Sequence, residues 1–200
     1  PLKMVQKLAF ANRDFTNIAI DNLSVCSEES VHVEISGNLG NITYNWSAIL
    51  NGVVITSGTS SGATTRDIDI TVAVSNITQP GDLYFEITPV LGNCTGEMET
   101  SAVITVNPIP GAVVSSVAAN MCSGEVVSDV IDIQLGSPVL TGNSVEWIVQ
   151  SSTGVSGATN GTASTSPYEI PDILTTTENA QGVVVYRVWT VSSTGCRGAY

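Results

Sequence analysis

Apolar and polar residues alternate at period two along most of this chain. In VHVEI, Val31, Val33 and Ile35 fall on one side of an extended segment and His32 and Glu34 on the other, because successive strand side chains point to opposite faces. ITYNWSA sets Ile42, Tyr44 and Trp46 against Thr43, Asn45 and Ser47. DIDITVAV sets Ile68, Ile70, Val72 and Val74 against Asp67, Asp69 and Thr71, and further on Ile131, Ile133 and Leu135 oppose Asp132 and Gln134. Turn-forming clusters such as SGNLGN, LNG, SGTSSGATT, QPGD and LGNCTG separate the runs. The pattern predicts seven strands in the first half, near 17–25, 31–36, 42–48, 53–57, 67–74, 83–90 and 101–106. One buried and one wet face per strand marks an antiparallel sandwich. Seven short strands with a tryptophan on the third suggest an immunoglobulin-like arrangement. Residues 3–12 read as a turn or two of helix.

The pattern then occurs again. Cys26 in VCSEESVHVEI is answered by Cys122 in MCSGEVVSDVIDIQL, 96 positions on, and Trp46 by Trp147, 101 on. Tyr84, Thr88, Cys94 and Gly96 are answered by Tyr186, Thr190, Cys196 and Gly198, each 102 on. The order is kept and the offset drifts as loop insertions would make it drift, which is the mark of a duplication. Between the copies lies VNPIPG, where Pro108 and Pro110 lack a donor N–H, end sheet pairing and favour a stiff connector. The expected organisation is a segment 1–17 of unclear role, one repeat over 18–108 and a second over 109–200. Since Met98 answers Tyr200, the second repeat has no counterpart of TSAVITV. The expected fold is thus all-β, two tandem sandwiches with the second lacking its last strand, cut from a longer array.

Composition narrows the partners. The chain is 42% hydrophobic and 12% charged, about half the usual charged share, and rich in the residues of strands and turns. Its net charge is −12, and three of its six basic residues, Lys3, Lys7 and Arg13, lie in the first thirteen positions. Such a polyanion repels nucleic acid and anionic lipid. No run approaches the roughly 18 apolar residues of a membrane span, so neither nucleic acid nor membrane insertion is expected.

Four features together resemble a known repeat family: the C-S-G-E opening, the tryptophan strand, the Y-x-x-x-T before N-C-T-G or G-C-x-G, and the closing VNPIP. They are similar to the PKD-like, Ig-like repeats of Bacteroidetes surface proteins, including SprB-type gliding adhesins exported by the type IX secretion system. The resemblance spans about residues 18–200. It implies a non-catalytic module of a large secreted cell-surface adhesin, acting as stalk and adhesive surface in gliding motility. The implied partners are neighbouring repeats, surface polysaccharide, or secretion and anchoring proteins.

The four cysteines fall two per repeat, with no CxxC and no zinc-ligand spacing. The simplest pairing is Cys26–Cys94 and Cys122–Cys196, each closing a loop of about 70 residues worth on the order of 4 kcal/mol, in an oxidising, extracellular compartment. A strict immunoglobulin order opposes this pairing. Cys26 precedes the second strand and Cys94 follows the sixth, which runs in the same direction. They would then lie roughly 17–20 Å apart, whereas a bridge needs Cα atoms within about 7 Å. Either the topology departs from that order or the thiols are free.

Little reactive chemistry is legible. The one histidine, His32, is placed on a wet face with no nucleophile motif near it, so no enzyme and no cofactor is expected. Calcium is the one candidate cation, with Asp67, Asp69, Asp129 and Asp132 as weak ligands and Glu97 and Glu99 at the last turn, though no D-x-D-x-D-G loop occurs. Sequons stand at Asn22, Asn41, Asn45, Asn76, Asn93 and Asn160. Trp46 and Trp147 are expected in the core rather than as sugar platforms. Two alternatives compete with the adhesin: a carbohydrate-binding accessory region of a secreted enzyme, and a fragment docked on its secretion or anchoring machinery through an open sheet edge.

Overall fold

The computed structural model describes residues 17–36, 42–61, 65–71, 77–115 and 119–198. The helix expected over 3–12 lies outside them. The chain divides into two compact units, Pro1–Ser75 with Pro80–Asn107 and Pro108–Tyr200 with Asn76–Gln79.

Unit 1 contains β1 (Asn17–Ile20), β2 (Ser24–Cys26), β3 (Ser30–Ser36), β4 (Thr43–Leu50), β5 (Val53–Ser61), β6 (Thr65–Thr71), β7 (Gly81–Leu91), β8 (Cys94–Thr95), β9 (Glu99–Thr100) and β10 (Ile104–Asn107). They form two sheets. One has the order β1-β3-β6, and the other β2-β10-β7-β4-β5 with β8 and β9 folded back on β7. This is an Ig-like arrangement, antiparallel except where β2 runs parallel to β10. The core comes from the alternation: Val31, Val33 and Ile35 of β3, Tyr44 and Ala48 of β4, Leu83, Phe85 and Ile87 of β7, and Ile104 and Val106 of β10 are all buried. Between β4 and β5, Asn51 and Gly52 both have positive φ, 49° and 80°. That pair suits a two-residue hairpin, whose twist needs a left-handed backbone at both positions.

The single strand expected over 17–25 is two strands. Asp21, Asn22 and Leu23 break it, so β1 pairs with β3 in one sheet and β2 with β10 in the other. Asp and Asn favour local turns over ladder bonds, which lets the chain change sheets there.

Unit 2 contains β11 (Gly111–Ser115), β12 (Asp132–Gly136), β13 (Ser144–Thr153), β14 (Val155–Ser156), β15 (Gly161–Ala163), β16 (Thr175–Thr176) and β17 (Val183–Val191), with a 3-10 turn at Val127–Asp129. β11 pairs with β12, β15 and β17 flank β13, and β14 pairs with β16. Val127, Ile133, Val145, Trp147, Ile170 and Val188 form its buried centre.

Pairing registers fix how the two units correspond. Trp46 lies opposite Ile87 on β7, and Trp147 opposite Val188 on β17. Phe85 therefore matches Tyr186 and Pro89 matches Thr190, one residue away from the Tyr84–Tyr186 and Thr88–Thr190 matches that the sequence suggests. A slip of one moves every side chain to the other face. The extra residue of unit 2 sits beyond the strand, since Gly96 N–H donates to Pro89 O while Gly198 N–H donates to Thr190 O.

The same register places Asn143 where unit 1 has Ile42. Ile42 is 1% exposed and Asn143 3%, and neither the Oδ1 nor the Nδ2 of Asn143 has a hydrogen-bond partner. A buried amide without partners is destabilising by about 1–3 kcal/mol. Asn143→Ile is expected to raise the unfolding free energy of unit 2, read from its urea transition, by an amount in that range and to move the midpoint upward. A lower midpoint would show that the amide is satisfied in solution.

Candidate functional site

The repeated opening motif is a closed turn. Cys26 N–H donates to Glu29 Oε2 at 2.7 Å and Cys122 N–H to Glu125 Oε2 at 2.5 Å. In return Glu29 and Glu125 N–H donate to the carbonyls of those cysteines, each at 3.1 Å. The glutamate three residues on is thus the chemical reason for the motif. Gly124 has φ 96°, natural for glycine, and its counterpart Glu28 holds φ 68° with a side chain.

The expected pairings Cys26–Cys94 and Cys122–Cys196 do not form. Cys26 and Cys196 are disulfide-bonded, while Cys94 and Cys122 are free and exposed. The strand ends explain it. Cys26 lies beside Asn107, next to Val106, which faces Gly81 at the start of β7, while Cys94 pairs with Leu91 at its end. Ten residues of strand separate those ends by about 33 Å, far beyond disulfide reach. In unit 2 the turn after Cys122 is bonded to Leu174 and Thr176, and Thr177 to Gly154. Gly154 follows Thr153, which pairs with Val183 at the start of β17, whereas Cys196 follows the end of that strand. Iodoacetamide is expected to label two cysteines in the native protein and four after reduction and unfolding, as read by intact mass. A disulfide belongs to proteins that mature in oxidising surroundings.

Each unit packs a glycine against its tryptophan. Gly58 pairs with Trp46 and Gly161 with Trp147, and a Cβ on either would collide with the six-membered part of the indole. Trp147 is a core residue whose Nε1–H donates to Thr159 O at 3.1 Å, and Trp46 is half-buried. Trp189 donates its Nε1–H to Glu146 Oε2 at 2.9 Å, and the Arg197 guanidinium stands 5.0 Å over its ring while also donating to Glu146. One face of Trp189 and its polar edge are therefore already occupied, which disfavours it as a sugar platform.

The polar centre of unit 2 is Asp172, 6% exposed, which the sequence did not single out. It accepts from Thr159 N–H at 2.8 Å, Thr159 Oγ1–H at 2.6 Å and Tyr186 Oη–H at 2.5 Å. Burial, then the hydrogen bond and charge of Asp172, push the Tyr186 phenol well above its ordinary range. With three donors on one carboxylate, the cluster is a structural brace rather than a base or nucleophile.

The remaining candidates are dispersed. His32 Nδ1 lies 3.1 Å from Asp21 Oδ2 near the surface. Asp129 is exposed beside the 3-10 turn, and exposed Asp132 accepts from Gln134 at 2.6 Å. Asp67 and Asp69 are paired in register with Glu34 and His32, but their side chains lie outside the described ones. Glu97 and Glu99 are exposed. Among the described residues, no three His, Cys, Asp or Glu side chains gather as metal ligands. Asn22, Asn45, Asn93 and Asn160 of the sequons are exposed, and Asn41 and Asn76 lie outside the described residues.

An open groove of about 790 Å³ runs through unit 2 between Asn120–Ser123 and the Gln181–Arg187 stretch, with Val114, Val127 and Val188 among its walls.

Residues 119–200 match the PKD-like domain family. No curated protein matches the chain. Among solved structures, it is similar to the fibronectin(III)-like modules of Clostridium thermocellum CbhA, at 14% identity, 92% and 90% coverage of the two chains and a TM-score of 0.38. It is also similar to the human OSCAR ligand-binding domain, at 8% identity, 91% and 93% coverage and a TM-score of 0.30. A third is a 1.5-MDa bacterial ice-binding adhesin, at 14% identity and a TM-score of 0.32, with 91% of this chain covering 60% of that one.

Proposed function

We propose that the chain is a non-catalytic repeat segment of a large secreted cell-surface adhesin, serving as stalk and adhesive surface in gliding motility and exported by the type IX system. Its partners are neighbouring repeats, and surface polysaccharide or anchoring proteins at the exposed loops. The resemblance of the repeat motifs and the PKD-like match of residues 119–200 support this reading.

The observation that carries it is the closure of unit 1. β2 and β10 run parallel, with Ser24, Val25 and Cys26 opposite Thr105, Val106 and Asn107. When the two ends of such a unit are pulled apart, parallel end strands are sheared. All their bonds bear the load together instead of opening one by one. Asn107 concentrates those bonds. Its Nδ2–H₂ donates to Ser24 Oγ at 2.9 Å and Val25 O at 3.3 Å, and its carbonyl accepts from Ser27 N–H at 2.9 Å and Ser27 Oγ–H at 3.1 Å. It is 4% exposed, so these bonds are shielded from water, where they resist exchange best.

Pulling single molecules of the full chain from both ends with its disulfide reduced, so that the load reaches β10, should give a high-force rupture for unit 1. Asn107→Ala should lower that force by a larger fraction than it lowers the urea midpoint. Equal forces for the two proteins would remove the stalk reading. Antibodies against the chain should label intact source cells, and labelling only after permeabilisation would remove the surface assignment.

A further inference from the structure

The turns that open and close the two units repeat their bonding but hold sulfur in two states. In the opening turn, Cys26 N–H donates to Glu29 Oε2 and Cys122 N–H to Glu125 Oε2. In the closing turn, Gly96 N–H donates to Pro89 O and Gly198 N–H to Thr190 O. The oxidation state does not repeat. One opening cysteine and one closing cysteine, Cys26 and Cys196, are disulfide-bonded. The other of each kind, Cys122 and Cys94, is an exposed thiol. The bonded closing cysteine, by contrast, is 1% exposed. Both thiols stand on well-bonded turns. Gly124 N–H, two residues after Cys122, donates to Leu174 O at 2.7 Å, and Cys94 pairs with Leu91 across a turn where Gly92 has φ 61°.

We propose that Cys122 and Cys94 are the two halves of a head-to-tail disulfide between copies of this chain, the opening cysteine of one copy taking the closing cysteine of another. The two thiols left over are one of each kind, as are the two cysteines already oxidised. A cysteine without a mate in its own chain, in an oxidising compartment, points to pairing between molecules. The two sites differ from each other, so the contact does not close on itself as a two-fold dimer but extends into a row. The bond needs a disulfide oxidant such as glutathione disulfide. One protein thiol attacks the oxidant and releases one glutathione. The second then attacks the protein sulfur of that mixed disulfide and releases the other. The two protein sulfurs lose two electrons and their two protons, and the S–S bond of the oxidant is broken as the new one forms. The linkage lengthens the stalk and in that sense rests on the stalk reading, but its test reads sulfur rather than rupture force, so either can fail without the other.

Cys94→Ser and Cys122→Ser variants of the full chain are mixed in equal amounts in a glutathione redox buffer, and the products are separated without reduction and identified by intact mass. Random coupling would make the mixed dimer equal to the two symmetric dimers together. The mixed dimer is expected to exceed that sum about tenfold, and peptide mapping should place its bond between Cys94 and Cys122. The unaltered chain should form a ladder of dimers, trimers and longer rows, while either variant alone gives little dimer. In both variants Cys26 and Cys196 should stay closed to iodoacetamide, which shows that the existing disulfide survives the substitution. The proposal is overturned by a random distribution of dimers, or by thiols that end as glutathione adducts with no dimer. It is also overturned by a monomer that loses both thiols without gaining mass, since the two cysteines would then bond within one chain.

Discussion

Asp172→Ala is expected to lower the unfolding free energy of unit 2 by about 3 kcal/mol, with the unit 1 transition unmoved. The carboxylate is 6% exposed and satisfies the main-chain and side-chain donors of Thr159 together with the Tyr186 hydroxyl. Alanine would remove the common acceptor of all three donors, leaving the half-buried Tyr186 hydroxyl unmet and handing the exposed Thr159 donors to water. Asp172→Asn keeps one acceptor oxygen and should cost less, about 1–2 kcal/mol. Urea unfolding followed by unit-specific amide exchange separates the units, and a loss under 1 kcal/mol for the alanine variant would refute the brace. A pH arm follows from Tyr186, whose folded-state acidity is shifted upward from 10.0. A group with a raised pKa contributes stability that is complete below its unfolded value and disappears as pH climbs through the folded one. Unit 2 should therefore weaken above pH 10, and Tyr186→Phe should abolish that alkaline limb.

Gly161→Val is expected to destabilise unit 2 by about 3 kcal/mol, and Gly58→Val to destabilise unit 1 by less. Both glycines sit across from a tryptophan, and a Cβ at Gly58 would come within 2.8 Å of the Trp46 ring. At Gly161 the approach to Trp147 is closer still. The two rings differ in their freedom to move aside. Trp147 is 4% exposed and held among core residues, with its N–H tied to Thr159 O. Trp46 is half-buried and has solvent on one side into which it can shift. Thermal unfolding of the two variants measures the contrast, and equal losses would show that ring mobility is not what decides the cost.

Much of unit 1 was legible because alternation is a direct imprint of a one-sided sheet. Val31, Val33 and Ile35, or Leu83, Phe85 and Ile87, are buried at every second position. The LNG turn was equally plain, since few sequences tolerate two left-handed residues in a row. Correspondences between the repeats were less secure. Matching Tyr84 to Tyr186 by residue type picked the wrong face, because the register of β7 and β17 is set by pairing with the tryptophan strand, which identity does not record. The short strands β8 and β9 carry no alternation at all, being two residues each. Cysteine pairing failed for a related reason: equal spacing in two repeats says the cysteines are equivalent, not that they meet. The Asp172 brace joins residues 13 and 14 positions away, through loops with no periodic signal. Two signals were present and overlooked, the glutamate three residues after each opening cysteine and the glycine that follows each tryptophan across the hairpin.

The placement of β10 bears on how such a unit can mature. Its bonds to β2 join residues 80 or more positions apart, and it is wedged into the middle of a sheet rather than added at a margin. A chain emerging amino end first therefore stays ajar until nearly all of it is out, and then locks in one late step. Until that strand arrives, the apolar faces of β3, β4 and β7 have no lid to close over them.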